Sequence, residues 1–346
     1  MKRAFGRLLI LALMLAFAGG GVALWCRQRV HTPYRAFAGD EVFVELPAGL
    51  SLATISDRLA AAGVIPEAWT FRLAARATGS DRRLKAGEYR FAGPSTPSDV
   101  MARLVAGDVF SHSVTFPEGL TIMEMAEIFG RSGLGTPAEF IEAAADPSLV
   151  AAFDSSARSL EGYLFPDTYA WPRREGAADA VRAMVARFDR AFDGELRAEA
   201  AARGLSVRET LTLASIIEKE TAKADERPLV SAVIHNRMKI GMPLQCDPTV
   251  IYALMLAKRW DGNLRKADLS LRSPYNTYVV TGLPPTPIAS AGRASIEAAV
   301  RPADVKYLYF VSRNDGTHVF AATLAEHTRN VRQWQGKADR SKPVPK

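Results

Sequence analysis

The chain has little cysteine: only Cys26 and Cys246 occur among its 346 residues. The two are far apart in the sequence and belong to no recognisable disulfide framework, so we expect no structural disulfide. Charge of one sign is not concentrated either, because the formal net charge of +7 is spread without a run of like charges. An excess spread in this way is weak support for nucleic-acid binding, and we predict no nucleic-acid partner. It suits equally a position beside an anionic membrane or cell wall.

Several common catalytic signatures are also missing. The five histidines show no H-E-x-x-H or comparable spacing, which argues against a zinc peptidase. There is no G-x-S-x-G elbow and no S-x-x-K motif, so the commonest serine hydrolase and penicillin-binding signatures are excluded. No glycine-rich loop is suited to cradling a phosphate. We therefore predict neither a metal site nor a cofactor.

The N-terminus carries the longest apolar run. After the basic segment "MKRAFGR", the residues from Leu8 to Cys26 contain no charge. Nineteen residues make about 28 Å of helix at ~1.5 Å per residue, close to the ~30 Å hydrocarbon core of a bilayer. Trp25 would lie at a membrane interface. A cleaved signal peptide is the alternative, but "ALWCRQR" offers no small-x-small cleavage site. We predict an uncleaved single-pass anchor, with the long C-terminal part exported.

Two segments about seventy residues apart align without gaps. "VELPAGLSLATISDRLAAAGVI" and "VTFPEGLTIMEMAEIFGRSGLG" both run from strand residues through P-x-G-L-[ST] into an apolar-periodic helix that stops at a glycine. Ser51 and Thr121 are good N-caps for these helices. Such strand-turn-helix units resemble LysM modules, which bind glycan chains. The alternative is a compact α+β scaffold, and the sequence leaves both interpretations open.

After residue 135 the pattern is mainly helical, then loop-like from Trp260 to Ala289, and a strand pair follows near the end of the chain. "GAADAVRAMVARFDRAFDGELRAEAAARG" is predicted to form one long helix, and the pattern from Ser206 to Ile240 is helical again. "VKYLYFVSR" and "THVFAAT" are predicted strands, and the Asn-Asp-Gly between them is a hairpin turn signal.

One helix carries two glutamates within an apolar run. Ser206 and Glu209 form a capping box ahead of "LASIIEKET", which supports a helix beginning near Val207. At 100° per residue, Glu218 and Glu220 both fall within a wide apolar arc but point about 160° apart. They therefore cannot act as a carboxylate dyad, and the helical wheel does not choose between them. Burial near a helix C-terminus raises the pKa of a carboxyl group, which suits a general acid, whereas pairing with a buried arginine is the structural alternative.

The C-terminal motifs carry a resemblance to a known family. "LASIIEKETAKADERPLVSAVIHNRMKIGMPLQCDPTVIYAL", "SPYNTYVVTGLPPTPIASAG" and "YLYFVSRNDGTHVF" follow one another, and "LKAGEYRF", "FPEGLT" and "LEGYLFPDTY" lie upstream. Together they resemble the YceG-like family, the MltG-type endolytic murein transglycosylases of bacterial inner membranes, over nearly the whole chain. The resemblance implies an α+β protein with a transmembrane helix within residues 1–30, a LysM-like region at 40–110, a YceG-like catalytic domain at 111–335, and a polar tail at 336–346.

The resemblance also implies an activity. Such an enzyme lies in the inner membrane with its catalytic part in the periplasm, and it needs no cofactor. It cleaves nascent glycan strands of peptidoglycan between N-acetylmuramic acid and N-acetylglucosamine without water, leaving 1,6-anhydromuramyl ends and terminating strand elongation. Cell-wall synthases such as penicillin-binding proteins are the implied partners.

The family's essential acid corresponds here to Glu218, the first glutamate of the motif. A lytic enzyme can use one carboxyl group as acid and then as base, since the substrate's own C6 hydroxyl is the nucleophile. The family usually has threonine where this chain has Cys246, which places any role of that position in doubt. Six further residues are expected to bind substrate or support the site: Glu220, Gln245, Asp247, Tyr275, Asn276 and Tyr278.

Two other functions are compatible with parts of the pattern. A membrane-anchored peptidoglycan-binding scaffold would leave both glutamates structural, but it has no need of "EKET", "LQCDPT" and "YNTY" together. A hydrolytic muramidase requires a second carboxylate across the scissile bond, for which Asp247 is the sequence candidate.

Overall fold

The protein combines thirteen helices with three short strand pairs in the part of the chain that a computed structural model describes, residues 2–173 and 175–335. This mixture confirms the α+β class, while the expected tail at 336–346 lies outside the described residues. The helices are α1 (Lys2–His31), α2 (Leu52–Ala61), α3 (Ala68–Ala77), α4 (Pro97–Ala106), α5 (Ile122–Arg131), α6 (Pro137–Ala144), α7 (Ala177–Ala191), α8 (Gly194–Ala202), α9 (Val207–Glu220), α10 (Arg227–Lys239), α11 (Asp247–Leu256), α12 (Arg293–Val300) and α13 (Leu324–Trp334). The strands are β1 (Val42–Leu46), β2 (Gly87–Phe91), β3 (Ser111–Thr115), β4 (Thr168–Pro172), β5 (Tyr309–Ser312) and β6 (His318–Ala321).

Helix α1 contains a segment suited to a membrane. An 18-residue window within Leu9–His31 has a mean hydropathy of 2.2, and none of that window is buried in the protein. Among the described residues this is the one helix long and apolar enough to cross a bilayer.

The chain divides into two units. The first comprises Met1–His112 and the described part of Ala170–Arg174, and the second comprises Ser113–Tyr169 and Glu175–Lys346 as far as it is described. In the first unit, β1 and β2 pair antiparallel with Val44 opposite Tyr89, and α2, α3 and α4 enclose a core with them. In the second unit, α9 packs most extensively on α12.

The repeated motifs form the expected local structure. Ser51 accepts a hydrogen bond from the Thr54 amide at the start of α2, and Thr121 forms a capping box with Glu124 at the start of α5. The Asn314-Asp315-Gly316 hairpin also forms, and it joins β5 to its antiparallel partner β6. The structure confirms these predictions. Caps and tight turns depend on neighbouring residues alone, so the sequence is sufficient to predict them.

The prediction of one long helix from Gly176 to Gly204 is wrong. The segment forms α7 and α8, with a break at Phe192 and Asp193. Phe192 is fully buried with non-helical dihedral angles, and the Asp193 carboxylate accepts a hydrogen bond from the Leu196 amide. Burial of the aromatic ring and a new N-cap outweigh the helix propensity of the flanking alanines.

Gly162, in the "LEGYLFPDTY" motif, lies very close to Pro287 of the "GLPPTPI" loop. Its φ of +84° lies in the left-handed region, and a Cβ at this position would lie 2.3 Å from the Cβ of Pro287. A side chain here would therefore meet both an unfavourable backbone conformation and a clash with the "GLPPTPI" loop.

We predict that Gly162→Ala destabilises the protein by roughly 1–3 kcal/mol from the backbone conformation alone, with the clash adding to that cost. The matched control is Gly194→Ala in the first turn of α8, where a Cβ meets nothing within 4 Å. Chemical unfolding of the detergent-solubilised chain, followed by near-UV circular dichroism, measures both variants. Equal midpoints for the two variants would contradict the prediction.

Candidate active site

Helix α9 places the two sequence-selected glutamates in its final turn. Ser206 caps the start of α9. The Ser206 amide and hydroxyl donate to the Glu209 carboxylate, and the Ser206 hydroxyl oxygen accepts a hydrogen bond from the Glu209 amide. From Thr210 to Ile217 the helix is buried on all sides. It ends at Glu220, because Thr221 is extended, so the last turn is where charged side chains can emerge.

Glu218 lies in a small polar cluster at the start of α12. One of its carboxylate oxygens accepts a hydrogen bond from the Gly292 amide at 3.0 Å, and the other lies 3.6 Å from a guanidinium nitrogen of Arg227. Arg227 in turn donates to the Ser295 hydroxyl at 3.1 Å. Only 8 % of the Glu218 side chain is exposed. The carboxyl group is thus held in one orientation by a backbone donor and a cation.

A second carboxyl group, that of Glu118, approaches the same cluster. A Cβ on Gly292 would lie 1.8 Å from a Glu118 carboxylate oxygen, so the absence of a side chain at Gly292 makes room for it. Partial burial raises the pKa of Glu118, and the neighbouring charge of Glu218 raises it further. Glu118 was not among the predicted site residues. In the sequence, Glu118 lies between the proline and the glycine of "FPEGLT", a pattern that predicts a turn and does not by itself indicate a site residue.

Backbone hydrogen bonds hold the Glu118 loop beside α9 and α12. The Gly119 amide donates to the Ser290 carbonyl, and the Ser290 amide donates to the Leu120 carbonyl, each at 2.8 Å. Lys219 adds a third contact, since its ammonium group donates to the Gly119 carbonyl at 3.1 Å. Segments about 170 residues apart in the sequence therefore meet at Glu218.

Glu220 lies in different surroundings from Glu218. It shares a pocket of about 240 Å³ with Gln245, Asp247 and Tyr278, three of the residues expected to support the site. Burial raises the pKa of Glu220 to about 7, and this rise is opposed by a hydrogen bond with the Cys246 thiol. The structure thus brings four of the expected residues together, but around Glu220 and not around Glu218.

Cys246 itself is buried and keeps a hydrogen-bonding role. Its amide donates to the Thr277 hydroxyl at 2.9 Å, and its thiol donates to the Leu244 carbonyl at 3.5 Å. Burial, and then the charge of the neighbouring Glu220, raise the pKa of the thiol, which keeps it protonated. Asp247, by contrast, is exposed and accepts a hydrogen bond from the Tyr278 hydroxyl at 2.7 Å.

Two further expected residues make internal contacts. Asn276 is fully buried, and its side-chain amide donates to the carbonyls of Leu269 and Leu271 while its oxygen accepts from the Tyr278 amide. The Tyr275 hydroxyl is 2.8 Å from that of Thr286, and its ring packs edge-on against Tyr252. Both side chains stabilise the loop that follows α11.

Comparisons with known proteins identify the family. A family model described as the YceG-like family matches residues 44–333. This chain belongs to the YceG-like family. The match includes both repeated strand-turn-helix segments, α9 and the terminal strand pair.

Relatives of this YceG-like chain carry a common name. The endolytic murein transglycosylase of Bacillus subtilis (strain 168) is 31% identical over 326 residues, which cover 90% of this chain and 89% of the relative. That of Streptococcus pneumoniae serotype 2 is 29% identical over 95% of this chain, which spans only 65% of that relative. A crystal structure of a yceG-like protein from Listeria monocytogenes matches with 32% identity and a TM-score of 0.57, over 84% of this chain and 98% of that one.

The raised pKa of Glu220 predicts a dependence of stability on pH. Because its folded pKa of about 7 exceeds the ordinary value of 4.5, the folded state holds a proton that the unfolded state releases between these values. The contribution of Glu220 to stability should therefore fall as the pH rises through this interval and stay low above it. Glu220→Gln removes this contribution, so the stability of the variant relative to wild type should rise between pH 5 and pH 8, by up to roughly 3 kcal/mol.

Chemical unfolding of both proteins at several pH values measures the difference. Glu161 is the internal reference: burial also raises its pKa to about 7, and it remains in both proteins. A difference in stability that does not change with pH would show that Glu220 is ionised in the folded protein.

We also predict that Asn276→Ala destabilises the chain by about 1–3 kcal/mol for each buried backbone group left unpaired. The matched control, Tyr278→Phe, removes one exposed hydrogen bond to Asp247 and should change stability by less than about 1 kcal/mol. Unfolding midpoints measured side by side test the pair. An Asn276→Ala variant of wild-type stability would contradict the structural role.

Proposed function

We propose that this YceG-like protein is an endolytic murein transglycosylase, a lyase that cleaves the N-acetylmuramic acid to N-acetylglucosamine bond of peptidoglycan strands. The family assignment and the shared name of its relatives support this function. The observation that carries it in the structure is the Glu218 carboxyl group, oriented by the Gly292 amide beside Arg227.

Glu218 is proposed as both the acid and the base of the reaction. It donates a proton to the departing glycosidic oxygen as the bond to C1 breaks, and positive charge develops at C1. The resulting carboxylate accepts the proton of the muramyl C6 hydroxyl as that oxygen bonds to C1. Glu218 thus gives up one proton and regains one, so no water is consumed. The C6 hydroxyl of the substrate is the nucleophile and replaces a second catalytic carboxylate.

The neighbours of Glu218 suit this cycle. The Gly292 amide and Arg227 stabilise the carboxylate that forms after the first proton transfer. Glu118, next to the same glycine, is a second carboxyl group that would, when ionised, stabilise the positive charge that develops at C1. Glu118 is therefore a better candidate than Asp247 for a second carboxylate beside Glu218.

The remaining expected residues are proposed to act from the neighbouring pocket. Gln245 and Asp247 are exposed, and Tyr278 is half-buried, so their polar groups are accessible to sugar hydroxyl or acetamido groups. Glu220 would support this pocket, and Tyr275 and Asn276 would shape the loop that carries it. Gln245 adopts a left-handed conformation, with φ of 51°, a strain that fits a functional position.

The setting of the enzyme is part of the same proposal. Helix α1 would anchor it in the bacterial inner membrane as a single-pass protein, with residues 111–335 forming the catalytic domain in the periplasm. Residues 40–110, a two-stranded sheet enclosed by helices, would be the LysM-like region that binds glycan. Cell-wall synthases such as penicillin-binding proteins are the proposed partners.

The test digests uncrosslinked glycan strands with full-length wild type, Glu218→Gln and the matched control Glu220→Gln. Because general acid–base catalysis contributes about 10²–10⁴-fold, Glu218→Gln should lose at least about 10²-fold in rate, and Glu220→Gln should lose less. Mass spectrometry should find 1,6-anhydromuramyl ends. Reducing ends would exclude the lytic mechanism in favour of hydrolysis, and an active Glu218→Gln with an inactive Glu220→Gln would reverse the assignment of the acid.

A further inference from the structure

Helix α3 presents an outward face of two large apolar side chains and two arginines. Trp69, Arg72, Leu73 and Arg76 follow one another at i, i+3, i+4 and i+7, the spacing of one helix face. Leu73 is 36% exposed, and Arg76 is exposed. The opposite face carries Thr70, Phe71, Ala74 and Ala75, all buried in the core of the first unit. This face thus lies outside the core of the unit, and Leu73 and Arg76 are its exposed members.

The C-terminal end of α1 packs directly against the start of α3. The rings of Trp25 and Trp69 stack with their centroids 5.4 Å apart and their planes 16° apart. Four residues later, Arg29 donates to the Glu67 carboxylate at 2.8 Å, and Val30 is buried in the core of the unit. The apolar helix is therefore joined to the α3 face without an intervening linker.

These contacts set the depth of Trp69 if α1 spans a bilayer. The uncharged stretch of α1 ends at Cys26, after about 28 Å of helix, which nearly matches the ~30 Å hydrocarbon core. Trp25 then lies at the boundary where tryptophan is enriched in membrane proteins. Trp69 stacks on it and must lie at a similar depth. The N-terminal turn of α3 is thus at the level of the lipid headgroups.

The charge on and after α3 complements an anionic surface. Between residues 68 and 85 there are five cationic residues and one acidic residue, Asp81. Within the described residues no ion pair joins an acidic group to the four arginines of this stretch, Arg72, Arg76, Arg82 and Arg83. Unpaired arginines near an apolar rim are typical of segments that bind anionic lipid headgroups.

We propose that Trp69, Arg72, Leu73 and Arg76 form a membrane-contact face that binds the anionic phospholipid headgroups of the bilayer spanned by α1. The inference rests on the proposed membrane anchor but not on the proposed chemistry. Its consequence is that the first unit lies against the bilayer with α3 facing the lipid. A unit held at two places, by α1 and by the α3 face, cannot turn freely about its anchor.

The experiment places a photo-crosslinking p-benzoylphenylalanine at one of three positions in the full-length chain, reconstituted into nanodiscs. Leu73 tests the α3 face, and Phe17, an exposed side chain of α1, tests the anchor. Ala53, exposed on α2 of the same unit, is the matched control. Mass spectrometry quantifies lipid adducts in discs of phosphatidylglycerol or of phosphatidylcholine alone.

We expect lipid adducts at Phe17 in both lipids, and at Leu73 at least about fivefold more in the anionic discs than at Ala53. Replacing Arg72 and Arg76 by glutamine should reduce the Leu73 adducts in anionic discs to their level in phosphatidylcholine. Adducts at Phe17 with equal yields at Leu73 and Ala53 would overturn the α3 face alone. Leu73 yields independent of lipid charge would overturn the assignment to anionic headgroups. Absence of adducts at Phe17 would overturn the anchor and the inference together.

Discussion

Complete burial of the middle of α9 is the constraint on which the candidate site depends. Eight consecutive residues, Thr210–Ile217, lie in the interior, so the helix is fixed in position and in rotation. The Ser215 hydroxyl accepts a hydrogen bond from the Ile288 amide, which attaches the proline-rich loop before α12 to the same helix. Because rotation is fixed, the final turn must present Glu218 toward α12 and Glu220 toward the start of α11.

Two glutamates on one helical turn can therefore differ in chemistry. Glu218 faces the Gly292 amide and the Arg227 guanidinium group, a hydrogen-bond donor and a cation that fix the orientation of its carboxyl group. Glu220 faces a protonated thiol and the nearby charge of Asp247, so burial prevails and it holds its proton near neutral pH. A group that must both release and regain a proton benefits from partners that stabilise its carboxylate. A raised pKa alone is consequently insufficient to identify the catalytic acid.

How much was predictable from the sequence depends on the range of the interactions. Helix caps such as Ser206 and the terminal hairpin were predicted because their partners lie within a few residues. The break at Phe192 was missed because burial of that ring depends on the tertiary fold. Glu118 was missed for the same reason, since its place beside Gly292 depends on pairing between distant loops. Asn276 was expected to bind substrate or support the site, and which of the two it does was not predictable because the enclosure of its amide by its own loop is a tertiary feature.

The excess of positive charge acquires a location only in the folded chain. In the second unit, arginines are frequently matched, as Arg208 is to Asp154 and Arg301 to Glu199. In the first unit, the arginines on and after α3 have no such partner among the described residues, and they lie beside the end of the apolar helix. Neutralisation of charge therefore depends on tertiary contacts and cannot be derived from the sequence. The arginines on and after α3 leave positive charge without an acidic partner, among the residues that the structure describes, in the unit that carries the apolar helix, where an anionic bilayer would be near.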